Sequence, residues 1–109
     1  MATTYKVLAQ SAPSATTNTD IYTVPSGTMS VLSTIVVANR AASSATYRIA
    51  VRPNGATLAN QHYLAFNVTV GASDSTTITL GITMDAADVL TVFASTADLS
   101  FNVFGSEIA

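Results

Sequence analysis

The chain has 109 residues, of which 49% are hydrophobic and 9% charged, with a formal net charge of −2 and no cysteine. That length is one domain, 1–109, with enough apolar matter for a core without disulfide or metal staples, and no thiolate chemistry. An average soluble domain carries about 25% charged residues, and the weakly acidic balance here excludes the basic footprint of a nucleic-acid binder.

Read in order, Thr3–Gln10 alternates weakly and predicts an edge strand. Ser11–Asn18 is a Ser/Thr/Ala loop around Pro13. A short strand over Thr19–Val24 ends in the turn Pro25-Ser26-Gly27. The longest strand-like run is Thr28–Asn39, TMSVLSTIVVAN. Val31, Ile35 and Val37 have one parity and Leu32, Val36 and Ala38 the other, so both faces are apolar. This predicts a central strand whose second face, at Leu32 and Val36, is covered by something outside the sandwich core.

Ala45–Arg52 sets Tyr47, Ile49 and Val51 against Arg48 and Arg52, the alternation of a half-buried strand. Pro53-Asn54-Gly55 is the strongest turn signal, and Ala56–Asn60 reads as loop. His62–Val70 predicts a strand with Leu64, Phe66, Val68 and Val70 in phase. Ser75–Thr83 predicts another, with Ile78, Leu80 and Ile82 inward. Met84–Ala87 is a tight connection, Asp88–Ser95 the seventh strand and Leu99–Phe104 the eighth. The expected core is Val31, Ile35, Val37, Tyr47, Ile49, Val51, Leu64, Phe66, Val68, Ile78, Leu80, Leu90, Val92, Leu99, Phe101 and Val103.

About eight short strands and no helical periodicity predict an all-β fold, an antiparallel two-sheet β-sandwich. Jelly-roll and immunoglobulin-like strand orders fit the pattern equally. No run reaches the ~18 apolar residues of a membrane span. MATTYKVLAQSA lacks the basic start and long apolar stretch of a signal peptide, and the expectation is assembly in the cytoplasm.

Chemistry-bearing residues are sparse. His62 is the one histidine, and a lone imidazole without further ligands reads as an ordinary surface residue. Asp85 and Asp88 in MDAAD are better placed to accept turn amides than to hold calcium, which takes 6–8 oxygens. No nucleophile–base constellation is specified. The expectation is therefore a protein that is no enzyme, with no metal or cofactor and no nucleic-acid or membrane partner. Arg48 and Arg52 share a strand face, which is either solvated or a contact surface.

The motif order carries a resemblance: YTVPSG at Tyr22–Gly27, STIVVANR at Ser33–Arg40, YRIAVRPNG at Tyr47–Gly55, HYLAFNVTV at His62–Val70, ADVLTVFAST at Ala87–Thr96 and LSFNVFGSEI at Leu99–Ile108. Over nearly the whole chain this resembles small β-sandwich structural proteins of tailed bacteriophages, including cyanophages. The resemblance implies a capsid cement or decoration protein on the outer surface of the head, bound to the major capsid protein as a homo-oligomer, dimer or trimer. The alternative is a tail or fibre module for host-surface recognition. The low charge and the parity of the apolar residues place self-association on Leu32, Val36, Phe93 and Phe104. Capsid contact is expected at Tyr5, Arg40, Arg48 and Arg52.

Overall fold

A computed structural model describes residues 2–109. It contains nine strands: β1 (Thr3–Ser11), β2 (Thr19–Thr23), β3 (Met29–Asn39), β4 (Ala45–Arg52), β5 (Tyr63–Val70), β6 (Ser75–Ile78), β7 (Ile82–Met84), β8 (Val89–Ala94) and β9 (Leu99–Ile108). Two single 3₁₀ turns, Pro53–Gly55 and Asn60–His62, join β4 to β5. One sheet runs β1-β9-β3-β6, with β7 also paired to β3, and the other runs β2-β8-β4-β5. Every pairing is antiparallel.

The strand order decides between the two topologies left open by the sequence. β6 and β7 both lie on β3 and count as one broken strand. First then pairs with last, β1 with β9, followed inward by β2 with β8, β3 with β6/β7, and β4 with β5. That is one long antiparallel ribbon. The pairings β9 to β3 and β8 to β4 roll it up. A two-sheet sandwich made by rolling such a ribbon is a jelly roll.

The core lies between the sheets. Tyr47, Ile49, Leu90, Val92, Leu99, Phe101, Val103, Ile35 and Val37 are all buried there, as their alternation predicts. Tyr47 and Phe101 meet edge to face across it, with ring centroids 6.3 Å apart. Val51 and Ile78 are half-buried against this cluster.

β-bulges, one in β3 and two in β5, where Leu64 is an extra residue between the pairs Ile49–Ala65 and Ala50–Tyr63, correct the predicted facing. In β3, Leu32 pairs with Gly105 and Thr34 with Phe104, so Ser33 is an extra residue. Its hydroxyl donates to the Phe104 carbonyl at 3.1 Å. An extra residue inverts the alternation beyond it. Leu32 therefore lies in the core with Ile35 and Val37, at 1% exposure, and Val31 is the outward residue. The run is apolar at both parities because its phase changes within it. The backbone is tight here: a Cβ on Gly105 would stand 2.0 Å from the Val31 carbonyl oxygen, so only glycine fits.

The other bulge of β5 is where Phe66 and Asn67 both oppose Arg48, between the pairs Ile49–Ala65 and Tyr47–Val68. Asn67 takes a left-handed conformation, φ 54°. Ala65 and Val70 face the core, whereas Leu64 and Phe66, expected inside, are 45% and 53% exposed. Val68 shares the inner side with Tyr47 but stays exposed because β5 is an edge strand. Leu80 is 60% exposed, since the expected sixth strand breaks between Ile78 and Ile82 around Gly81 at φ +64°.

Candidate interaction surfaces

The outer face of the first sheet is apolar. Tyr5, Ser106 and Val31 stand in one cross-strand row, and Val7, Phe104 and Thr34 in the next. Tyr5 is 83% exposed; Val7, Met29 and Phe104 are exposed as well. A shallow groove of about 610 Å³ runs between Tyr5, Val7, Val31, Ser33 and Phe104, with Lys6 also on its lining. Val36 is half-buried one row further, beside the hydrogen-bonded pair Gln10–Asn102. No charge interrupts these rows. Lys6 and Glu107 belong to the alternate rows of buried Leu32 and Ser30, where they pair with each other.

The outer face of the second sheet is built around arginine. Arg48 on β4 lies between Phe66 of β5 and Phe93 of β8, its guanidinium carbon 4.2 Å from each ring centroid. Its Nε donates to Asn67 Oδ1 at 2.8 Å. Tyr63 meets Phe66 edge to face at 4.9 Å, beside a hollow of about 250 Å³ lined by Asn60, Tyr63 and Phe66. Arg52 is differently engaged: Nη2 lies 2.8 Å from Asp20 Oδ2, Nε donates to Thr91 Oγ1, and Nη1 donates to the carbonyls of Gly55 and Ala56. Thr91 in turn donates to Asp20. The Arg52 network closes the β4–β5 connection over the edge of β2.

The residues assigned to self-association and capsid contact therefore regroup. Leu32 leaves the surface because of the Ser33 bulge. Phe104 and Val36 join Tyr5 on one sheet, and Phe93 joins Arg48 and Arg52 on the other. Arg40 stands apart, donating to Ser100 Oγ and the Ala97 carbonyl, both at 2.9 Å, so that it ties the end of β3 to the β8–β9 turn.

Polar groups the sequence reading passed over hold the ends of the sandwich. Asn39 is buried and donates through Nδ2 to the Ser43 and Gly71 carbonyls, while its Oδ1 accepts from the Ala41 amide. At the other end Tyr22 donates to Glu107 and shares a hydrogen bond with Ser30, and Lys6 closes the cluster at 2.6 Å from Glu107. Hydrogen bonds from Lys6 and then Tyr22 hold the Glu107 carboxyl below its usual range. Burial, followed by the bond to Glu107, pushes the Tyr22 phenol up to about 12.

His62, expected as a surface residue opening the fifth strand, is half-buried and ends a 3₁₀ turn, Asn60–His62, which its Nδ1 braces by accepting from the Ala59 amide at 3.0 Å. Asp88 accepts from the amides of Asp85 and Asn54, and Asp85 from that of Ala86. Both carboxylates thus serve the turns, the role preferred for them from sequence. Among the described residues no group of three or more His, Cys, Asp or Glu is placed to hold a metal ion, and no helix is long and apolar enough to cross a membrane.

No family model matches the chain, and no curated protein matches its sequence.

Proposed function

We propose that the protein is a structural component of a tailed-phage particle, a cement or decoration protein that binds the outside of the head and bridges capsid subunits. One observation carries the reading: exposed apolar groups lie on both outer faces of a sandwich with few charges to keep it apart from other surfaces. A monomer that stays free in solution seldom leaves such patches on opposite sides. The arginine-bearing face of the second sheet contacts the capsid, and the uncharged face of the first sheet packs copies together as a dimer or trimer. The jelly roll agrees with this role without proving it, since that architecture serves viral shells and lectins alike. Binding that favours the closed lattice raises the temperature at which heads rupture, by linkage. A reconstruction of the particle tests the assignment: many copies over the head are expected, and a few copies at the fibre tips overturn it.

The second reading, a host-recognition module, draws on the hollow at Tyr63 and Phe66. The exposed Phe66 and the half-buried Tyr63 beside the Asn60 amide offer a sugar both a stacking surface and a hydrogen-bonding group. Binding to a host-surface glycan array by wild type, abolished in Phe66→Ala, is the result that favours it.

A further inference from the structure

We infer that Arg48 forms a carboxylate site for a Glu or Asp side chain of a partner protein. Three arginines lie on or beside the strands of this sandwich, and their terminal nitrogens have different fates. Arg40 ends on a carbonyl. Arg52 ends on Asp20 and two carbonyls. Among the described residues, the two terminal nitrogens of Arg48 meet no acceptor; only its Nε does, at Asn67.

The guanidinium is nevertheless held in place. Its central carbon packs 4.2 Å from the ring centroids of both Phe66 and Phe93, and the bond from Nε to Asn67 fixes its rotation. Asn67 is brought there by a bulge of β5, at a positive φ that only a few residue types tolerate. A fork held this way has lost its rotamer freedom before the ligand arrives, so little more is lost on binding. Its free edge presents parallel N–H donors at the spacing of a carboxylate.

The surroundings select the ligand. Asp20, the acid on the same sheet face, is taken by Arg52 and Thr91, so no internal carboxylate competes. A phosphate dianion would want a second cation, and the chain is net negative. Phe66, which flanks the guanidinium, is exposed and gains by being covered. A protein surface covers it while delivering the carboxylate. Only the choice of a protein as partner rests on the particle reading above; the carboxylate chemistry stands on the geometry of Arg48.

The test is a titration of the isolated protein with capped glutamate, N-acetyl-glutamic acid amide, followed by NMR of the Arg48 Nε–H and the Phe66 and Phe93 rings. Saturable shifts are expected in wild type and in Arg40→Gln. They vanish in Arg48→Gln and weaken by about tenfold in Arg48→Lys, which keeps the charge but loses the fork. The amide spectrum reports whether each variant is folded, and Arg48→Lys carries the comparison should Arg48→Gln unfold. Absence of saturable shifts, shifts that persist in Arg48→Gln, or a stronger response to inorganic phosphate or N-acetylneuraminic acid overturns the inference. Saturation by capped glutamate with no binding to phage heads would sink the particle reading and leave the site standing.

Discussion

At the scale of single residues, the structure separates side chains that fill space from those that satisfy backbone. Phe101 is fully buried against Tyr47. Replacing it with Ala removes its apolar area and leaves a cavity, an expected loss of about 3–5 kcal/mol in chemical denaturation. Asn39 works otherwise. Its amide donates to loop carbonyls at the ends of β5 and the β3–β4 connection. Asn39→Asp keeps the shape but turns donors into a buried charge facing carbonyl oxygens, and should cost more than Asn39→Ala, which itself should cost about 1–3 kcal/mol. Equal losses would show that the amide only fills volume. Neither role of Asn39 is visible in the sequence, where it is one polar residue at a strand end; its partners lie as far as 32 positions away.

At the scale of elements, alternation was a sound guide wherever a strand keeps its phase and misleading wherever it bulges. β9 buries the alternate residues that period two selects, Leu99, Phe101 and Val103, and β4 does so at Tyr47 and Ile49. β3 gains one residue and β5 two, and there period two wrongly selects Val31, Leu64 and Phe66 as inward. The cause is not local: Ser33 is extra only because Gly105, on another strand, lets the Val31 carbonyl approach so closely. Gly105→Ala should therefore destabilise by more than the ordinary change in strand propensity, with the β3–β9 amide exchange accelerated first. A protein of unchanged stability would mean the register can slip at no cost. Titration probes β1, which is joined to the sandwich by Lys6, Glu107 and Tyr22. Glu107 has a lowered pKa in the fold, so the unfolded chain binds its proton first. The stability it contributes is present above the ordinary carboxylate pKa and disappears as pH falls through the folded value. Melting temperatures measured between about pH 5 and pH 3 should fall more steeply for wild type than for Glu107→Gln. Parallel curves would show that the pairing adds nothing to folding.

At the scale of the whole molecule, the sheets were legible as a pair but their strand order was not. Ribbon pairs such as β1 with β9 join the two ends of the chain, and no pattern within either strand specifies the other. The surfaces were harder still, because which apolar residues face out depends on the bulges. With them placed, the uncharged face of the first sheet gives a sharp expectation for self-association. Tyr5, on the unpaired edge strand β1, and Phe104, on its neighbour β9, stand in adjacent rows; charging Tyr5, 83% exposed, costs the monomer little burial, and charging Phe104, 36% exposed, costs more. If copies meet through this face as proposed, a carboxylate at either position would be forced into an apolar contact, and the desolvation of an unpaired charge opposes that contact strongly. Tyr5→Asp with Phe104→Asp should therefore shift light-scattering mass from oligomer to monomer while circular dichroism stays β-rich. Arg48→Gln, on the opposite sheet, should leave the mass unchanged and, under the proposed function, weaken attachment to heads. If the mass instead responds to Arg48→Gln and ignores the Asp pair, the two faces have exchanged roles, and copies meet through the arginine-bearing sheet.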